Sequence, residues 1–189
     1  MLDYVAGLIA DADDAGETPN LKSYTWRRKA ISFKILEHKG NAMTIAVIDY
    51  AHTPDGLENV LSSVKDYCAG RLIAEFGCGG DRDPIKRPIM GRIGAQIADI
   101  AIITSDNPRT EEPMAIIRDI LQGVKTEDGE YIVIEDRRKA IRYAMDIAKK
   151  DDIIILAGKG HETYQDIAGH KYHLDEREEV AAHLRGNEE

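Results

Sequence analysis

The sequence is poor in cysteine, short of positive charge, and without a long apolar run. Two cysteines, Cys68 and Cys78, are too few for a disulfide scaffold and too sparse for a zinc site. They read as reduced thiols. No stretch reaches the roughly 18 apolar residues of a membrane span. The first residues, MLDYVAGLIADADD, turn acidic at once and lack the basic n-region of a signal peptide. The expectation is a cytoplasmic protein. Lys and Arg number 25 against 34 Asp and Glu, a formal net charge of −9, so the chain repels phosphate backbones overall. Non-specific nucleic-acid binding is therefore a poor fit. Neither GxGxxG nor GxxxxGK[ST] occurs, so neither a dinucleotide fingerprint nor a P-loop is supported. No residues have metal-ligand spacing, and no catalytic triad can be argued from their order. Cys78, beside glycines, is only a weak nucleophile candidate.

What is present is a repeating alternation. The 189 residues suit one domain, or one domain with an appendage, and 43% hydrophobic residues can fill a core. Apolar, β-branched runs at 42–49, 71–76, 100–104, 131–135 and 153–157 read as strands. Between them, helical spacing places Leu57, Val60, Leu61 and Val64 on one face, then Ile89, Ile93 and Ile97, then Ile116, Ile117 and Ile120, then Ile141, Ala144 and Ile147. Thr53-Pro54, Asp83-Pro84 and Asp136 supply helix starts. A hairpin is expected over 163–173, and a last helix from about Asp175 to Arg185. The class is α/β: a doubly wound, mostly parallel, Rossmann-like sheet of about six strands with helices on both faces. Residues 1–40 read as an extension: a short helix at 1–10, an exposed linker at 11–20, and an antiparallel edge strand or hairpin within 23–38. Residues 41–189 form the main domain.

Ligands of such sheets bind outside the carboxyl ends of the strands. Four of the loops at that rim carry Gly, His, Asp, Asn, Arg, Lys and Glu: 49–54, 77–83, 105–109 and 158–162. The opposite ends carry ordinary turn residues. Gly77, Gly79 and Gly80 permit positive φ and close approach to a ligand, or simply a tight turn. Arg82, Lys86 and Arg87 can hold a phosphate or carboxylate, or form a solvated basic face. Asp106-Asn107-Pro108-Arg109 can grip a zwitterion, with Arg109 on a carboxylate, or cap the next helix through an Asx turn. Gly158 to Glu162 offers backbone N–H groups for a carboxylate and Glu162 for an ammonium. His52 and His161 read as ligand contacts or as structural hydrogen-bonders.

DYAHTPDGLENVL (49–61), GCGGDRDPIKRPIMG (77–91), SDNPRTEEP (105–113) and AGKGHETYQ (157–165) resemble the C-terminal domain of the Mur ligases, from about residue 42 to the C-terminus. The pattern is most similar to the members that add meso-diaminopimelate to UDP-MurNAc-L-Ala-D-Glu in peptidoglycan precursor synthesis. The resemblance implies an ATP-dependent C–N ligase with Mg2+, in which a carboxyl is activated as an acyl phosphate and attacked by an amine. It also implies that this chain alone, lacking the P-loop domain, is inactive and has no catalytic residue of its own. By the same resemblance Arg82, Asp106, Asn107, Arg109, Gly158 and Glu162 would bind the amino acid. Asp49, Tyr50, His52 and Lys86 would lie near the nucleotide. UDP-MurNAc-dipeptide and ATP would be held through upstream domains. A stand-alone or repurposed binding module stays open, as do related cyanophycin-type and pseudomurein-type ligases, although the DNPR motif favours diaminopimelate.

Overall fold

The computed structural model describes residues 23–25, 32–38 and 42–186. The helix expected at 1–10, the linker at 11–20 and the turn at 39–41 lie outside the described residues. Five parallel strands form the body of the sheet: β3 (Ala42–Asp49), β4 (Leu72–Phe76), β5 (Ile100–Ile103), β6 (Glu130–Val133) and β7 (Ile153–Ala157). β1 (Ser23–Thr25) and β2 (Ser32–His38) extend one edge in antiparallel pairing, a hairpin-like addition within the expected 23–38 segment. The order across the seven-stranded sheet is β1-β2-β3-β7-β4-β5-β6. A separate two-stranded hairpin pairs β8 (Tyr164–Ile167) with β9 (His170–His173).

Side-chain alternation along the strands divides the core. Ile45, Val47, Leu72, Ala74 and Phe76 face a cluster built with α1 (Pro54–Lys65), α2 (Lys86–Ile97) and α3 (Pro113–Val124). Ala46, Ile48, Ile73 and Leu156 face the other side, under α4 (Arg137–Ile147) and α5 (Glu176–Leu184). A sheet buried on both faces needs apolar residues at nearly every position, which is why β4 and β7 are buried throughout. Glu75, in the middle of β4, is the exception.

Helix starts follow the side chains that satisfy their orphan N–H groups. Thr53 Oγ1 accepts from Gly56 N–H at 3.2 Å, with Pro54 in the first helical turn. Asp136 accepts from Lys139 N–H at 3.1 Å and Asp175 from Arg177 N–H at 2.9 Å. α2 departs from expectation: it begins at Lys86, not at Asp83-Pro84, and has no side-chain cap. The reason is local, since Asp83 Oδ1 accepts from Ile85 N–H at 2.9 Å and closes a turn ahead of the helix.

The strand order decides where the rim loops meet. β7 inserts between β3 and β4, so β3, β7, β4 and β5 are consecutive neighbours. The loops that leave their carboxyl ends are therefore side by side.

Candidate functional site

A cleft of about 360 Å³ opens where those loops meet. Nine of the ten residues expected from the sequence line it: Tyr50, His52, Arg82, Lys86, Asp106, Asn107, Arg109, Gly158 and Glu162. Asp49 is not among the lining residues. It ends β3, and its carbonyl accepts from Gly158 N–H at 2.9 Å. A larger hollow of about 500 Å³ lies beyond β6, between Pro113, Ile134, Asp136, Arg138 and Ile167. It holds none of the expected residues and no comparable set of buried charges.

The floor of the cleft is a buried ionic cluster. Lys159 is fully buried at 0% exposure. Its Nζ donates to Asn107 Oδ1 at 2.6 Å and to Tyr164 O at 2.8 Å. It lies 3.1 Å from Asp106 Oδ1 and 3.4 Å from Glu162 Oε2. Asn107 Nδ2 donates to Glu162 Oε2 at 3.0 Å. Burial alone would push the Asp106 carboxyl up, but Lys159 and then Arg137 reverse this and hold it below the ordinary carboxylate range.

Arg109 is held by its backbone. Its φ of +52° lies in the left-handed region, uncommon for a side-chain-bearing residue. Arg109 N–H donates to Asp166 O at 3.0 Å and Ala168 N–H donates to Arg109 O at 2.7 Å, so β8 fixes the turn. The guanidinium donates from Nη1 to Gly80 O at 2.6 Å. Arg109 is only half-buried and already has this partner. A ligand lacking the matching carboxylate therefore leaves it less exposed to an unpaired-charge penalty than full burial would.

The glycines after β4 serve packing. None of Gly77, Gly79 and Gly80 has a positive φ. A Cβ on Gly77 would lie 2.3 Å from Thr104 O, and one on Gly80 would lie 1.9 Å from Pro108 O. The 77–80 loop therefore sits directly against the 104–109 loop. Gly158 and Gly160 are different: their φ values are +120° and +54°. A Cβ on Gly160 would also meet Tyr50 Cβ at 2.7 Å.

The basic run divides. Arg82 is exposed at the cleft, and Lys86 Nζ donates to His52 O at 2.7 Å. Arg87 turns away and is buried, paired with Glu111 at 2.8 Å and Asp119 at 2.9 Å. It is neither a ligand contact nor a solvated face but a tie to α3. At the rim, the Tyr50 ring lies 4.6 Å from that of His52 and 5.0 Å from that of His161. His161 is exposed, and its ring packs against Tyr50 at the rim. The Tyr50 phenol is raised above its ordinary value, chiefly by burial and then by Glu162 and Asp106. Cys78 is buried, with burial pushing its thiol up to about 12, which removes it as a nucleophile.

Sequence reasoning gave no role to Lys159 or to the 164–166 segment. The available signal was a lysine set between two glycines just beyond an apolar strand. The cleft thus offers cations at Arg82, Arg109 and Lys86 and anions at Asp106 and Glu162. A small molecule carrying both carboxylate and ammonium groups complements it. Among the described residues, no group of three or more His, Cys, Asp or Glu is placed to hold a metal ion. No helix of the described residues is long and apolar enough to cross a membrane.

The family model described as Mur ligase, glutamate ligase domain, matches residues 33–160. The UDP-N-acetylmuramoyl-L-alanyl-D-glutamate–2,6-diaminopimelate ligase 1 of Clostridium acetobutylicum is 55% identical over 152 residues, covering 80% of this chain and 31% of that protein. The ligase of the same description from Clostridium tetani is 60% identical over 134 residues, covering 71% of this chain and 27% of that protein. A solved UDP-N-acetylmuramoyl-L-alanyl-D-glutamate–2,6-diaminopimelate ligase is similar at a TM-score of 0.76 and 38% identity, over 96% of this chain and 37% of its own. The chain spans under a third of the length of these curated relatives.

Proposed function

Because the chain belongs to the Mur ligases, carrying their glutamate ligase domain, we propose that it supplies the amino-acid site of an ATP-dependent ligase. That ligase joins meso-diaminopimelate to UDP-MurNAc-L-Ala-D-Glu in peptidoglycan precursor synthesis, in the cytoplasm. The observation that carries this reading is the convergence of Arg82, Arg109, Asn107, Asp106 and Glu162 on one cleft. Diaminopimelate has two carboxylates and two ammonium groups. Arg82 and Arg109 match the carboxylates, the second by a fork-shaped contact. Glu162 and Asp106 match an ammonium. Asn107 Nδ2 supplies a further donor, while Gly158, whose N–H is taken by Asp49 O, only lets the backbone come close to the ligand.

The reaction forms a C–N bond to the dipeptide carboxyl and breaks the C–O bond of its acyl phosphate, releasing phosphate. The attacking nitrogen must lose a proton to become nucleophilic. The chain's part is to orient that nitrogen by gripping the distal end of the molecule, converting an encounter into a positioned approach. Tyr50, His52 and Lys86, with Asp49 behind them, form the lip on which a nucleotide would bear when domains close. ATP supplies the phosphoryl group, and Mg2+ neutralises its phosphates in the complete ligase. Among the described residues no set fits a metal ion, and no step assigned to this chain runs through one.

Isothermal titration of the chain with meso-diaminopimelate, L-lysine and ATP tests the reading. Binding of meso-diaminopimelate should exceed that of lysine by about ten- to a hundredfold, because lysine leaves Arg109 without its carboxylate. Equal affinity for the two, or preference for another amino acid, would overturn it.

A further inference from the structure

Lys159 stands apart from the residues that face the cleft. It is fully buried and does not line the cavity. Its ammonium has three hydrogens and no acceptor capacity. Four acceptors surround it: Asn107 Oδ1 at 2.6 Å, Tyr164 O at 2.8 Å, Asp106 Oδ1 at 3.1 Å and Glu162 Oε2 at 3.4 Å. No donor remains for a ligand, so Lys159 is neither a substrate contact nor an amine nucleophile.

Its effect on Asn107 is specific. An amide presents an acceptor on one side and two donors on the other. Both Lys159 Nζ and Asp166 N–H point at the same Asn107 atom, at 2.6 Å and 2.9 Å. Only the oxygen can sit there; an amide turned over would set its NH2 against two donors. The NH2 must then face Glu162 and the cleft, and one of its hydrogens meets Glu162 Oε2 at 3.0 Å. Glu162 Oε2 is in turn engaged by Lys159 and Asn107, and Glu162 lines the cleft.

We propose that Lys159 is a positioning residue that fixes the polarity of the site: it turns Asn107 so that the amide donates into the cleft, and it holds Asp106 and Glu162 as oriented acceptors. The site then presents a donor beside two carboxylates, a pattern that reads the carboxylate and ammonium of one amino-acid end together. The ligand clause rests on the function proposed above; the orientation of Asn107 does not. The same ammonium ties the loop after β5, the loop after β7 and the start of β8 into one unit. Asp166 of β8 and Ala168 just after it also grip the Arg109 backbone. Lys159 thereby acts on both ends of the DNPR turn.

The test uses the 189-residue chain labelled for NMR. In the wild type, the Lys159 ammonium should give a signal slow to exchange with water, and the Asn107 side-chain NH2 should be protected. In Lys159→Met, of similar length but without charge, Asn107 NH2 exchange should quicken at least tenfold, with meso-diaminopimelate affinity falling by about ten- to a hundredfold. A lysine that merely fills space would lower Tm and leave Asn107 unmoved. Unchanged Asn107 exchange in a folded Lys159→Met overturns the proposal. Should that variant fail to fold, the wild-type Asn107 amide decides: side-chain NH2 exchange as fast as that of an exposed asparagine overturns the proposal, and a protected NH2 supports it. If the wild type binds no meso-diaminopimelate yet Lys159→Met frees Asn107, the ligand assignment fails and the role of Lys159 stands.

Discussion

Glu75 occupies the centre of a fully buried strand, where an apolar side chain would ordinarily sit. Its carboxyl lies 3.1 Å from Arg137 Nη2, and Glu176 takes the same guanidinium at 2.7 Å. Two carboxylates thus share one buried cation, with Asp106 and Lys159 nearby. Burial, then the repulsion of Glu176, pushes the Glu75 carboxyl up to about 8 against the pull of Arg137. Between the ordinary carboxylate range and about 8, the folded chain keeps a proton that the unfolded chain has released. Stability should therefore fall as pH rises from 5.5 to about 8. The lowered Asp106 and Asp152 carboxyls act only at more acidic pH. Glu75→Gln keeps the shape. Glu176, on the same guanidinium, is also raised by burial, so the substitution removes only part of the pair's titration. The variant's Tm should fall less over that range than that of the wild type, which loses several degrees at about 2–4 °C per kcal/mol for a chain of this size. Parallel profiles for the two proteins would exclude Glu75 as the source. None of this was visible in the sequence, where Glu75 is one acidic residue in an apolar run. Arg87 was misread for a related reason: its partners Glu111 and Asp119 lie 24 and 32 residues further along the chain. The rim residues were legible because each lies in the segment that leaves the carboxyl end of a strand or, for Lys86, at the start of the helix that follows it.

Among the elements, α2 and α3 show how closely backbones can approach when side chains are withheld. Gly91 of α2 and Gly123 of α3 face the neighbouring helix. A Cβ on Gly91 would lie 2.1 Å from Ile120 O, and one on Gly123 would lie 1.7 Å from Pro88 O. The obstacle in both cases is main chain, which cannot swing aside. Helix propensity alone favours alanine over glycine by about 1 kcal/mol. Overpacking against backbone costs about 1–3 kcal/mol or more. Gly123→Ala should therefore lower Tm in a thermal melt, and an equal or higher Tm would show that the helices separate at little cost. Because α2 begins just after the 77–85 loop, such a separation also loosens Arg82 and Lys86. Periodicity located these helices within a few residues, and it located the strands as well. The order of the strands has no local signature. That β7 lies between β3 and β4 depends on which faces the crossover helices bury, and this alone makes the 158–162 loop a neighbour of both Tyr50 and Gly79.

At the scale of the whole molecule, an acidic chain gathers three cations at the opening of one cleft. The net charge is −9, yet Arg82, Lys86 and Arg109 converge at the opening. That local reversal suits an anionic group, and Lys86 with His52 stands where phosphates of a nucleotide would approach in the proposed closed ligase. Binding an anion and splitting it are separate tasks. Phosphoryl transfer needs backbone donors cradling the phosphates, a cation to neutralise charge and a positioned acceptor. The 189 residues contain no GxxxxGK[ST] loop, and the described residues offer no cluster for a metal ion. Lys86 is further committed to the His52 carbonyl at 2.7 Å. The purified chain, given ATP, Mg2+, UDP-MurNAc-L-Ala-D-Glu and meso-diaminopimelate, should release no phosphate above a buffer blank and form no tripeptide. Phosphate release that tracks chain concentration, and that Lys86→Ala abolishes, would mean that the cleft itself carries out the phosphoryl step and that its assignment to amino-acid binding is wrong.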